Sequence, residues 1–288
     1  MSTLSKTLAL LDFFGPDSLQ VSAEAIVERT GDSKATVYRH VKDLCDAGLL
    51  TRVGTGSYSL GPRIIELDWM MRQYDPILGA GRELMNELAE ETRLAVFSSV
   101  FYDGRIINTH IVEPSETFAF AFGRGQPLPL FVGAQSKVLV AYQPTRRLRK
   151  LFEEKIAGNS DNPHHNLSWK EFSRAAKKIR KDGYCITNAE LTDGLTGIAA
   201  PILQQDGREA AASVCVVGSD HTFGLLRRES VIERVTETAR RIAANLEKRP
   251  TASDRQPTRR ELPQTRGKAE RSETRAPSRS APKARRKK

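Results

Sequence analysis

The sequence predicts an α+β protein in three parts: a small helical unit closed by a β-hairpin, a longer mixed α/β domain, and a basic tail. Three observations carry this. Apolar residues recur at three- and four-residue spacing as far as Leu44, then give way to two short strand-like runs around Gly54-Thr55-Gly56. From Leu94 to Leu246, strand-like runs alternate with amphipathic stretches. Beyond these, residues 250–288 hold one large aliphatic side chain, Leu262, and five of the 14 prolines. A segment so poor in apolar surface cannot offset its ordering entropy, so it is expected to be disordered.

Taken in order, Leu4, Leu8, Leu11 and Phe14 keep the spacing of one helical face, which Gly15-Pro16-Asp17 breaks. Ser22 is placed to cap a second helix carrying Ile26 and Val27, stopped at Gly31. Ser33 is placed to cap a third, whose stripe is Val37, Val41 and Leu44 and whose end is Gly48. Leu49–Val53 and Ser57–Leu60 then form a hairpin. Pro62 suits the first turn of a connecting helix, and Pro76 begins another with Ile77, Leu84 and Leu88 inward. Asp103-Gly104 joins the strands Ala95–Tyr102 and Arg105–Val112. Ser168 and Glu171 form a capping box for a helix ending at Gly183. Ile198–Leu203 and Ala210–Val217 pair around Gln205-Asp206-Gly207, and a last helix places Val231, Val235, Ile242 and Leu246 on one face.

Charge and composition restrict the function. The 288 residues carry a net charge of +10, yet Arg249–Lys288 alone holds 14 Lys/Arg against 4 Asp/Glu, leaving 31 of each sign in the body. The excess is a tail, not a basic globular surface. Two readings of it stand side by side: a solubilising extension, or a set of phosphate contacts. The second would steepen the salt dependence of DNA affinity by ~0.9 log unit per contact, and equal slopes for the full chain and a version ending at Leu246 would exclude it. No apolar run approaches the ~20 residues of a membrane helix, and Met1–Leu11 lacks the layout of a secretory signal. Cys45, Cys185 and Cys215 are odd in number and set among apolar neighbours, as expected of reduced thiols in a cytoplasmic protein.

Three helices and a hairpin make the winged helix-turn-helix arrangement, whose third helix enters the DNA major groove. The residues placed to contact an operator are Ser33, Lys34, Thr36, Tyr38, Arg39 and His40 on that helix and Arg52 on the wing. Arg39 suits guanine, and the Ser33 end suits phosphate. The competing reading is a solvated face of a partner-docking module. No catalytic residues, metal ligands or cofactor motif are expected. Gly123-Arg124-Gly125 is a glycine-rich fragment in an unsuitable context, and His164-His165 has no acidic or Cys partner at ligand spacing. The alternative from another class is a small-molecule-metabolising enzyme with the winged unit for docking; a third is a general nucleic-acid binder driven by the tail.

Three motifs carry a resemblance: Thr3-Leu-Ser-Lys-Thr-Leu-Ala-Leu-Leu-Asp-Phe-Phe14, Ser33-Lys-Ala-Thr-Val-Tyr-Arg-His-Val41 and Gly56-Ser-Tyr-Ser-Leu-Gly-Pro-Arg63. With Gly125-Gln-Pro-Leu-Pro-Leu-Phe-Val-Gly-Ala-Gln-Ser-Lys137, Gly183-Tyr184, Glu190 and Gly194-Leu-Thr-Gly-Ile-Ala-Ala-Pro-Ile202, they resemble the isocitrate lyase regulator (IclR) family in order and spacing. The resemblance implies a bacterial repressor or activator that binds double-stranded operator DNA as a homodimer or dimer of dimers, without membrane contact. It implies a winged domain at residues 1–61, a linker helix at 62–75 that contributes to dimer contacts, a GAF-like effector-binding domain at 76–248 and the tail at 249–288. The implied effector is a carboxylate or an aromatic acid. Its contacts carry over to Leu128, the turn Ala134-Gln135-Ser136 ahead of a helix starting near Lys137, Thr187, Gly197 and Cys215. Cys215 reads more readily as a small core residue than as a ligand contact, and Gly197 has a competing reading as turn chemistry at a strand end. Thr187 and Val217 stand where an acid and a serine can occur, so a less polar pocket and a larger or more apolar ligand are expected.

Overall fold

A computed structural model describes residues 2–113 and 122–248; the tail expected at 249–288 lies outside the described residues. Helix α1 (Thr3–Ala9) runs into a 3-10 turn at Leu10–Phe13. A two-residue strand β1 (Val21–Ser22) follows, then α2 (Ala23–Thr30), α3 (Lys34–Asp46) and the strands β2 (Leu50–Arg52) and β3 (Ser57–Leu60). The caps are those the sequence signals: Ser22 Oγ accepts the Ala25 N–H, Ser33 Oγ accepts the Thr36 N–H, and Gly31 ends α2 in the left-handed region. β3 lies between β1 and β2, antiparallel to both. Leu10, Ile26, Val37, Val41, Leu44 and Leu50 fill the core beneath.

The expected face of α1 is not the buried one. Leu4 and Leu8 are 68% and 44% exposed, whereas Thr7 and Leu10 point inward. A buried polar contact, described below, holds Thr7 in place, and the tightening to a 3-10 turn at Leu10 breaks the 3.6-residue register the leucines follow.

Helix α4 (Arg63–Tyr74) leaves the hairpin, and α5 (Pro76–Thr92) begins after Asp75, whose side chain accepts the Ile77 and Leu78 N–H groups. The start of α4 is fixed by a close approach of backbones. The Gly61 N–H donates to the Leu49 carbonyl at 2.8 Å and the Arg63 N–H to Gly48 at 3.2 Å, and a Cβ on Gly61 would collide with the Gly48 carbonyl. α4 is therefore pinned to the end of α3. Along its length, however, α4 buries no residue.

The rest is a six-stranded antiparallel sheet between two pairs of helices. In chain order come β4 (Ala95–Tyr102), β5 (Arg105–Val112), β6 (Pro127–Leu128), α6 (Ala134–Ala141), α7 (Thr145–Leu151) with a π-helical extension at Phe152–Ile156, α8 (Trp169–Asp182), β7 (Cys185–Asn188), β8 (Leu195–Leu203), β9 (Ala210–Ser219), α9 (Asp220–Gly224) and α10 (Arg228–Lys248). The strand order is β6-β5-β4-β9-β8-β7. Period-two alternation sends Val96, Ile198, Val214 and Val216 to α5 and α10, and Phe97, Ala199 and Cys215 to α6 and α8. At the β4–β5 turn, Asp103 and Gly104 both have positive φ, as a two-residue hairpin requires.

Pro201 sits in the middle of β8, a position proline normally avoids. Here β7 pairs only as far as Ala199, so beyond that point β8 has, among the described residues, a strand on one side alone. Pro201 is buried, and any other residue there would aim an N–H at that vacant side without a partner.

Candidate functional site

On α3 the inward stripe is Val37, His40, Val41 and Leu44, at successive spacings of three, one and three. Ser33, Lys34, Tyr38 and Arg39 are exposed on the opposite side, Thr36 is half-buried, and Arg52 is exposed on β2. The first turn of α3 carries no acid, so the positive end of its dipole is uncompensated by the chain itself. The Tyr38 hydroxyl donates to Glu24 at 3.3 Å, and that carboxylate pushes the phenol above its ordinary range.

His40 is a correction. It is 2% exposed and lies 2.6 Å, by Nδ1, from Thr7 Oγ1. The Thr7 hydroxyl donates to the Thr3 carbonyl at 3.0 Å, which leaves its lone pair for His40 and assigns the proton to Nδ1–H. His40 thus fastens α1 to α3 and cannot reach DNA. It occupies a stripe position three residues after Val37 and four before Leu44; sequence reasoning read its polarity instead of its phase.

The second feature is a pocket on the α6 side of the sheet, with about 480 Å³ of space counting its open mouth. Leu128, Ala134, Gln135, Thr187 and Gly197 line it, as the resemblance implies. Gly197 widens the floor without relieving strain: a Cβ there would meet Ala134, Thr187 and Cys215 at ordinary distances of 3.6–3.7 Å. Two residues do not belong. Ser136 Oγ accepts the Phe131 N–H at 2.9 Å and donates to the Pro129 carbonyl at 2.8 Å, stapling the preceding turn. Cys215 is fully buried beneath Gly197, and burial drives its thiol pKa far up; the Cys185 thiol is likewise pushed up to about 11. Both are neutral thiols packed in the core.

The helix also starts earlier than the sequence suggests. Gly133, at φ +77°, precedes a helix that begins at Ala134, so Ala134-Gln135-Ser136 are its first turn. The carboxylate of Glu190 already sits at this helix end, accepting the Gly133 N–H at 3.1 Å and pairing with Lys137. Sequence reasoning missed Phe97, Asn108, Phe122, Leu191 and Leu195, which supply the wall and part of the floor. Period-two alternation places Phe97 and Asn108 on the α6 face, a usable signal; nothing local marks Phe122. Asn108 is the hub of the floor. Its Oδ1 accepts from Ser99 Oγ at 2.7 Å and from Gln135 Nε2 at 3.2 Å, and its Nδ2 donates to the Phe122 carbonyl at 3.0 Å. Among the described residues no Lys or Arg lines this pocket, and Glu190 is its one charged side chain.

The histidines outside α3 gather no ligands: among the described residues no group of three His, Cys, Asp or Glu is placed to share a metal ion. His164 packs edge-on against Phe131. His110, on β5, is register partner to Ser98, and its Nε2 and the Ser98 Oγ are both buried without a partner among the described residues. Burial first, then Arg82, holds the His110 imidazole below its ordinary value. A depressed folded pKa means that the unfolded chain binds more protons just below about pH 6.5, so stability is full above that value and falls as pH drops through the folded pKa. His110→Gln is expected to flatten the drop in urea midpoint between about pH 7.5 and 5.5. An unchanged pH profile would exclude His110 as its source.

A winged helix-turn-helix joined by one helix to a pocketed α/β domain is the architecture of a DNA-binding regulator. Comparison with known proteins gives the family. The model of the IclR helix-turn-helix domain matches residues 3–54, and that of the bacterial transcriptional regulator IclR C-terminal domain matches residues 73–244. The HTH-type transcriptional regulator KipR of Bacillus subtilis is 26% identical over 85% of this chain and 96% of its own length. The Pca operon regulatory protein of Acinetobacter baylyi is 24% identical over 83% of this chain and 87% of its own. An IclR homologue from Microbacterium hydrocarbonoxydans, crystallised in complex with 4-hydroxybenzoate, superposes with a TM-score of 0.67 at 19% identity, covering 85% of this chain and 99% of that one. The chain belongs to the IclR family of transcriptional regulators and is a DNA-binding regulator, not an enzyme. No helix among the described residues is long and apolar enough to cross a membrane.

Proposed function

We propose that residues 1–61 read operator DNA through Ser33, Lys34, Thr36, Tyr38 and Arg39 with Arg52 on the wing, and that a small metabolite bound within residues 76–248 modulates this reading. The observation that carries the second half is the pocket itself: apolar walls from Phe97, Phe122, Leu128, Leu191, Leu195 and Val217 over an amide floor of Asn108 and Gln135. Such a lining suits an aromatic or short aliphatic ring or chain with one polar end. With no Lys or Arg in the lining, a carboxylate would be held by amide and hydroxyl donors, chiefly Gln135, Thr187 and Thr192. The names of two relatives support an aromatic acid, one a Pca operon regulator and one complexed with 4-hydroxybenzoate. The test is a thermal-shift panel of benzoate, 4-hydroxybenzoate and short-chain carboxylates, followed by operator titration with each binder. A true effector at a hundred times its Kd stabilises the fold by about 2.7 kcal/mol. If no member shifts the melting temperature, or if a binder leaves operator affinity unchanged, the reading fails.

The linker at 62–75 is proposed as a contact between two copies of the chain. Supporting it, Ile65, Trp69, Met71 and Tyr74 are each more than half exposed on α4, an apolar surface that water does not favour. Trp69→Glu should lower the mass seen by light scattering at micromolar protein towards that of a single chain. A mass unchanged by that substitution would move the interface elsewhere.

A further inference from the structure

We propose that Arg124 is a positioning residue that couples the pocket to the linker helix α4. This rests on the effector reading above and adds to it a route for the signal.

Arg124 lies at the centre of the Gly123-Arg124-Gly125 turn, the glycine-rich fragment for which the sequence offers no chemistry. Its Nε donates to the Thr109 carbonyl at 2.6 Å, and its Nη2 pairs with Asp68 of α4 at 2.6 Å. Both flanks of the turn are held by one residue of the pocket floor. Asn108 Nδ2 donates to the Phe122 carbonyl at 3.0 Å on one side, and the Gly125 N–H donates to the Asn108 carbonyl at 2.9 Å on the other. Asn108 in turn accepts from Gln135, and Phe122, Asn108 and Gln135 all line the pocket. A ligand that draws on the Gln135 or Asn108 amide therefore acts on the groups that seat Arg124.

At its far end the chain of contacts meets a helix with little else to hold it. α4 buries no residue, and among the described residues Asp68–Arg124 is the one ion pair that joins it to another element. Arg124 dominates the field at Asp68 and keeps its carboxyl below the usual carboxylate range. Arg72, one turn along α4, donates to the other oxygen of Asp68 at 2.9 Å. Asp68 thus has a partner within its own helix to fall back on when Arg124 withdraws, so α4 has two discrete states, tethered and released. Because the Arg63 N–H is bonded to the Gly48 carbonyl at the end of α3, release of α4 is felt at the helix that faces DNA.

The test needs no effector and uses the full chain. Amide hydrogen exchange over residues 63–74 is measured for the wild type, Arg124→Gln, Gln135→Leu and the double variant. Arg124→Gln should speed exchange in α4 by about fivefold, the loss of a single partly exposed ion pair. Gln135→Leu, which frees Asn108, should speed it in the wild type and add nothing once Arg124 is gone. Asp68→Asn, a half-buried change at the other end of the pair, should reproduce Arg124→Gln, and Phe122→Leu serves as the pocket change if Gln135→Leu does not fold. Arg124→Lys, which keeps charge but loses the fork, should fall between. If Arg124→Gln leaves α4 exchange unchanged, or if the pocket change has the same effect in both backgrounds, the coupling is refuted. Failure of the metabolite panel would instead strike the effector reading and leave this coupling intact.

Discussion

Arg39→Ala is expected to weaken operator binding about 5- to 150-fold, the 1–3 kcal/mol of a bidentate guanine contact, and to relax preference at one base position. Arg39 is exposed on α3, on the opposite side from Val37 and Val41, so the fold should melt unchanged. Lys34→Ala makes the contrast. A lysine beside the capped end of α3 serves phosphate, so its loss should weaken all sequences alike and lower the salt slope by about one. Anisotropy titrations of an operator selected from random DNA, against single-base variants, separate the two. If Arg39→Ala binds the selected operator with wild-type affinity and discrimination, Arg39 does not read a base.

Phe172→Ala is the largest expected loss of stability, about 3–5 kcal/mol. The ring is fully buried on α8 and touches three others, with centroids 4.5 Å from Phe131, 4.9 Å from Phe152 and 5.9 Å from Trp169. These rings join α7's π-helical extension, α8 and the turn before α6 into one layer beneath the pocket. Truncation leaves a cavity that three separate elements would have to move to fill. Chemical denaturation gives the number directly; a loss under about 1 kcal/mol would mean that the layer collapses freely around the gap.

The fold was legible where local chemistry and periodicity agree. Ser22, Ser33 and the Ser168–Glu171 box begin helices where their hydroxyls promise, and Asp103-Gly104 closes the expected hairpin. Legibility failed where a residue's chemistry and its phase disagree. His40 is polar by type and buried by position; Leu4 and Leu8 are apolar by type and exposed by position. For His40 a tertiary partner, Thr7, settles the matter from 33 residues away. The pocket was half legible. Leu128, Gln135 and Gly197 sit on motifs, but Phe97 and Asn108 come from strands that say only "alternating", and Glu190's seat at the start of α6 joins residues 57 apart. Domain resemblance found the neighbourhood, and side-chain geometry decided which members face inward.

Pro201 has a consequence for whether another strand can join this sheet. A sheet invites another polypeptide wherever a long row of N–H and C=O groups lies open along its margin. Here the marginal strands β6 and β7 have two and four residues, while the strands just inside them, β5 and β8, have eight and nine. The stretch of β8 that β7 leaves uncovered contains a residue with no hydrogen to donate. Strand addition therefore finds no template of useful length at that margin, which protects against fibrillar association while the chain is newly made.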